Sequence, residues 1–186
     1  MNSADASPRA DSVAAELPGW MTHLPGARPE VEGARQRIRR LARLFDEILA
    51  GAAAGHDLTV GDWEALSVLA RREPPHEGLP GDIARTLGLT SGTMSLRIDR
   101  LSRAGLVEPG PRGDGDGRSR PIRLTAAGHR RWRAATDERI RVEDGLVGGA
   151  LDAAGLDALN DLLAPLLVRF EDELGHAPAR GPVRRR

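Results

Sequence analysis

Apolar residues recur at three- and four-residue spacing over long stretches of this chain, the spacing that gathers them on one face of a helix. From Glu32 to Ala54 the series is Ile38, Leu41, Leu44, Phe45, Ile48, Leu49 and Ala52, with Arg35, Arg39, Arg40 and Arg43 opposite. Thr59 reads as an N-cap, with Asp62 as its capping-box partner, for a helix from Val60 to Arg72 that buries Trp63, Leu66 and Leu69. Pro74-Pro75 ends it, and Glu73 to Pro80 reads as a loop. Thr125 caps a helix from Ala126 to about Gly148, and Asp152 caps the last one. That last helix carries a broad stripe of Leu156, Leu159, Leu162, Leu163, Leu166, Leu167, Phe170 and Leu174. Pro165 lies inside the stripe, removes a backbone donor and should kink the helix near Asp161.

The pattern shortens between Asp82 and Thr125. A brief helical segment, Asp82 to Leu89, is followed by a second, Thr90 to Gly105, in which Met94, Ile98 and Leu101 point inward. Thr90 or Ser91 caps this second segment, and Gly105 suits the left-handed position just past its end. A strand, Leu106 to Glu108, a Gly-rich tip from Gly110 to Gly117, and a returning strand, Ile122 to Thr125, complete the series. Two short helices, a tight turn and a β-ribbon follow the order of a winged helix-turn-helix. The expected fold class is mainly α with a small β-wing.

Charge sharpens this picture. The formal net charge is zero, but Arg97 to Arg133 holds ten Arg against four acids, and Asp137 to Glu173 holds ten acids against three Arg. The positive block coincides with the helix-turn-helix, and local charge decides whether phosphates are attracted. With the apolar stripe subtracted, Ser91, Thr93, Ser95, Leu96, Arg97 and Arg100 are expected to face outward. Hydroxyls on the first turn reach base edges or phosphates, and an exposed Leu suits a thymine methyl. Arg100 and Arg103 lie further along, where phosphate is the expected contact. At the wing, Arg118 at the hairpin tip suits the minor groove, with Asp116 to orient it, and Arg120 and Arg123 add phosphate contacts.

Other chemistries find little support. The chain has no Cys, which excludes disulfides and thiolate metal sites. His23, His56, His76, His129 and His176 have no ligand spacing, and no cofactor or metal is expected. The wing glycines lead to a strand and not to a helix, so they fail the dinucleotide test. No apolar run approaches the roughly 20 residues of a membrane span, and the expected location is cytoplasmic. The competing reading is a winged-helix module for protein contact, without specific DNA binding.

Asp116-x-Arg118 followed by Leu124-Thr125-x-x-Gly128, together with Ser91-Gly92-Thr93-Met94-Ser95, Arg97-Ile98-Asp99-Arg100-Leu101 and Ala104-Gly105-Leu106-Val107, resembles the MarR family of winged-helix regulators. The likeness runs over roughly residues 31 to 175. It implies a ligand-responsive repressor that binds palindromic duplex DNA as a homodimer, two recognition helices lying about 34–36 Å apart. The implied organisation is a flexible extension (1–30), an N-terminal dimerisation helix (31–56), the winged domain (57–125), C-terminal dimerisation helices (126–175) and a disordered basic tail (176–186). A narrower resemblance, to the branch responsive to urate and related anions, implies a small anionic or aromatic effector. It points to Trp20, Glu64 and Arg97, although that branch usually has Asp where Glu64 stands, and the ligand pocket is expected between the dimerisation helices and the winged domain, near Trp63 and Arg97.

Overall fold

Most helices of this protein begin on a side chain that accepts from the backbone three residues on, which satisfies a donor the helix itself leaves unpaired. The computed structural model describes residues 10–111 and 120–175. Asp11 caps α1 (Ser12–Met21), and α2 (Pro29–Ala54) follows. Thr59 and Asp62 form a reciprocal capping box at the start of α3 (Val60–Ala70). After β1 (Glu77–Gly78) comes α4 (Pro80–Thr86), which has Pro80 in its first turn and no side-chain cap. Thr90 caps α5 (Ser91–Arg103), and the chain then forms β2 (Val107–Pro109) and β3 (Ile122–Leu124). Thr125 caps α6 (Ala126–Ala150), and Asp152 caps α7 (Ala153–Leu174), which runs through Pro165 as a single element.

The chain divides into two compact units, one up to Ile48 and one from Leu49 on. In the first, α1 is fastened to α2 by polar contacts. Arg37 donates to Asp11 at 2.7 Å, and Arg40 reaches Glu16 at 2.7 Å and also the hydroxyl of Ser12. Val13 is buried, and the Leu17 side chain lies close to Gly33. A loosely ordered stretch over residues 1–30 is therefore corrected in part, since 12–21 is helical. The apolar series of α2 is left open within this unit: Ile38, Leu41, Leu44 and Phe45 are all exposed.

The second unit has a continuous core in which Leu66, Leu69, Ile83, Met94 and Leu101 are fully buried, with Leu106, Val107, Ile122 and Leu124 packed among them. Trp132 of α6 donates to Ser67 of α3 at 2.8 Å, and Trp63 of α3 donates to Thr136 of α6 at 3.0 Å. Together they lock the two helices. The wing is a three-stranded antiparallel sheet in the order β1-β3-β2, not the two-stranded ribbon expected, and β1 lies in what reads from sequence as a loop. Arg123 pairs with Glu77 on one side and Glu108 on the other. α7 contributes no buried residue; Leu162, Leu166, Leu167, Phe170 and Leu174 all stand open.

Thr125 and Gly128 join the wing to α6. The Thr125 hydroxyl donates toward the Gly105 and Leu106 carbonyls and accepts from the Gly128 amide at 2.9 Å. A Cβ at Gly128 would sit 2.0 Å from the Leu106 carbonyl oxygen, so only glycine lets the helix come this close.

Candidate nucleic-acid interface

α4 and α5 pack against one another through Ile83, Met94 and Leu101, with Gly88 making the turn between them in the left-handed region (φ +65°). Gly105 takes the same region (φ +67°) at the end of α5, where the Leu106 amide donates back to Leu101 at 2.9 Å. This is the expected C-terminal lock, and it turns the chain directly into the wing. The result is a packed seat that leaves the other side of α5 facing outward. Ser91, Thr93 and Ser95 are exposed on that face, and Leu96 is 73% exposed. Thr93 shares a hydrogen bond of 2.9 Å with Thr90, so its hydroxyl is already oriented.

The arginines behave differently from what outward placement would give. Arg97 turns inward onto α3: its side chain is only 14% exposed, and its guanidinium lies 3.5 Å from the Glu64 carboxylate. Gly61 makes room for it, since a Cβ there would stand 2.3 Å from an Arg97 nitrogen. The pair is an ion pair by distance, yet Nη1 is buried and makes no hydrogen bond. A buried donor on a cation without an acceptor is costly, so this nitrogen is suited to a further acceptor. Arg100 is half exposed but tied to Asp62 on α3. Arg103 is exposed near the end of α5. Arg120 donates to the Gly110 carbonyl at 2.7 Å across the base of the wing, and Arg123 pairs with Glu108 at 2.7 Å. Asp116 and Arg118 lie outside the described residues.

Of the four residues expected at a ligand site, Glu64 and Arg97 meet each other, and Trp63 is buried next to Glu64 in sequence. Trp20 belongs to the first unit, where Arg40 lies over its ring at 5.5 Å. Two further participants emerge only from the structure. Arg139 of α6 lies over the Trp63 ring at 5.7 Å, pairs with Glu143, and keeps a buried Nε without a partner. Its i, i+4 acid is visible in the sequence; its inward turn is not. Asp62 reads from sequence as a cap alone, yet it also binds Arg100. Burial would raise its carboxyl, but hydrogen bonds from Arg100, from the Thr59 side chain and from the Thr59 amide hold it below the ordinary aspartate value of 3.8.

A buried helix-turn-helix seat running straight into a small antiparallel wing is also found in known proteins. Residues 56–119 match the family model described as MarR family. The chain is 29% identical over 106 residues to the HTH-type transcriptional regulator PecS of Dickeya dadantii, a match covering 57% of this chain and 63% of PecS. It is 28% identical over 113 residues to the transcriptional activatory protein BadR of Rhodopseudomonas palustris, covering 61% of this chain and 64% of BadR. The matched stretch thus spans less than two thirds of either relative. Among solved structures, a mutant of MarR from E. coli complexed with operator DNA superposes with a TM-score of 0.57 at 20% identity. That superposition covers 74% of this chain and 96% of the MarR chain. At that identity the likeness shows a common fold. Among the described residues no helix is long and apolar enough to cross a membrane.

Proposed function

We propose that this chain is a MarR-family transcriptional regulator, not an enzyme, that binds palindromic duplex DNA as a homodimer, represses, and lets go when a small anion binds. The observation that carries the DNA-binding reading is the exposed Ser91-Thr93-Ser95-Leu96 face of α5, presented on a seat whose opposite side is fully buried. Short hydroxyls and one apolar side chain are what a helix needs to lie close in a major groove. The operator complex of E. coli MarR supports the same use of the fold. PecS, named a transcriptional regulator, and BadR, named a transcriptional activatory protein, support a role in transcription, and the second name leaves repression to be tested directly. The homodimer is supported by the open apolar stripes of α2 and α7, each of which is long enough to need covering.

The effector reading rests on Arg97. A cation on the recognition helix, buried against Gly61 and Glu64 with one donor unused, is positioned to exchange the Glu64 carboxylate for an incoming anion. Trp63, which precedes Glu64 on α3, and Arg139, which lies over its ring with a buried Nε unpartnered, are the further groups this reading would use. Binding there changes what holds α5, which is the differential contact a ligand switch requires. Selection of genomic fragments by the purified protein should return a near-palindromic site. A reporter driven from that site should rise on deletion of the gene; a fall would mean activation instead.

A further inference from the structure

Asp62 divides its two oxygens between two helices. Oδ2 accepts from the Thr59 amide at 3.0 Å and from the Thr59 hydroxyl at 2.7 Å, closing the N-terminus of α3. Oδ1 accepts from Arg100 Nε at 3.0 Å and from its Nη2, and that same Nη2 reaches the Thr59 hydroxyl at 3.1 Å. Asp62 is 4% exposed, while the Arg100 side chain is 54% exposed. A carboxylate so thoroughly buried is tolerated only with its partners in place. The cap fixes where Asp62 is, and Asp62 in turn fixes where Arg100 is. Arg100 stands in the last turn of α5, away from the Ser91-Thr93-Ser95 end, so holding it sets how the whole helix is inclined on α3.

We infer that Asp62 is a positioning residue for DNA recognition, and that Arg100 is a strut between α5 and α3 and not a phosphate contact. The inference rests on the DNA-binding reading above. It reassigns a basic residue of the recognition helix from attraction to alignment, and the two roles leave different marks. A phosphate contact releases counterions, so its loss shifts the slope of log affinity against log salt by about 0.9 per contact. An internal strut releases none. Its loss tilts the reading face and weakens discrimination between bases.

The test is a salt titration of operator binding by the full chain, with R100A, D62A and the double variant, on the selected operator and on single-base changes of it. We expect each single variant to bind the operator roughly tenfold more weakly, the double variant to be no worse than either, and the salt slope to stay that of the wild type. The ratio of affinities for operator and altered sites should fall in all three. That ratio does not depend on how much protein is folded, so general destabilisation leaves it unchanged. R100K should recover part of it, because a lysine can still reach Asp62. D62A also removes the α3 cap; should it fail to fold, R100A decides alone, since it leaves Thr59 and Asp62 together. A slope reduced by about 0.9 per protomer in R100A, with base discrimination intact, would overturn the strut and restore the phosphate contact. A wild type with no salt-dependent affinity for any duplex would instead remove the DNA-binding reading, and the strut with it.

Discussion

Two glycines in helices show how differently the same residue can be used. At Gly128 a Cβ would meet the Leu106 carbonyl at 2.0 Å and the Leu124 side chain at 2.9 Å, and a backbone carbonyl cannot step aside. G128A should therefore cost about 1–3 kcal/mol or more by urea denaturation, the range for overpacking a tight contact. At Gly51 in α2 nothing lies within 4 Å, so G51A should stabilise by up to about 1 kcal/mol through helix propensity alone. Equal effects of the two substitutions would contradict the close approach of α6 to the wing. Asp62 offers a second residue-scale test, through pH. Its carboxyl is held below 3.8 in the folded chain, so the unfolded chain binds the proton more readily. The stabilisation is thus complete above the ordinary aspartate range and fades as the pH falls through the lowered value. D62N should be less stable than wild type at neutral pH, with the gap closing in acid; a gap that widens in acid would mean the carboxyl is not depressed.

At the scale of elements, α5 combines an exposed face of short hydroxyls and Leu96 with an inward arginine, and the proposed function gives each its own task. R97A should weaken operator binding, because it removes the contact that holds α5 on α3, and should blunt further release by small anions, measured by gel shift across an effector titration. Equal release of wild type and R97A would discard the switch. Much of α5 is legible in the sequence, because the cap at Thr90, the Met94-Ile98-Leu101 stripe and Gly105 are all local signals. The direction of Arg97 is not, because its charge argues for solvent. Position 97 lies three residues after Met94 and four before Leu101, so helical spacing alone puts it at the edge of the buried stripe, where Gly61 opens a slot. Arg100 is hidden for a related reason: its partner lies 38 residues away, and no local pattern announces a pairing at that distance. The two-residue β1 carries no periodicity to read, and exists because β3 offers it an edge. α1 escapes a sequence reading because Pro18 and Gly19 weigh against a helix, and its fastening to Arg37 and Arg40 is tertiary.

At the scale of the whole molecule, a dimer requires that the stripe on α7 be covered by a second copy. L162E with L167E, placed where both side chains are at least 60% exposed, should leave each protomer folded but sediment as single subunits. Operator affinity should then fall by about a hundredfold or more, because two half-sites are no longer engaged by one particle. Unchanged sedimentation would assign that face to another partner. Arg118, expected from the sequence alone to contact DNA without reading bases, should act on any sequence alike, so R118A should weaken binding to operator variants by a common factor; unchanged affinity would take that arginine out of DNA binding.

Duplex DNA held through phosphates and read by α5 is the central claim. Affinity of the purified protein for its selected operator, measured from about 50 to 200 mM salt, tests it most directly. The expected result is a linear fall of log affinity with log salt, on the order of a thousandfold over that range if six or more phosphates are engaged. Binding that ignores salt, or no binding to any duplex at all, would contradict it.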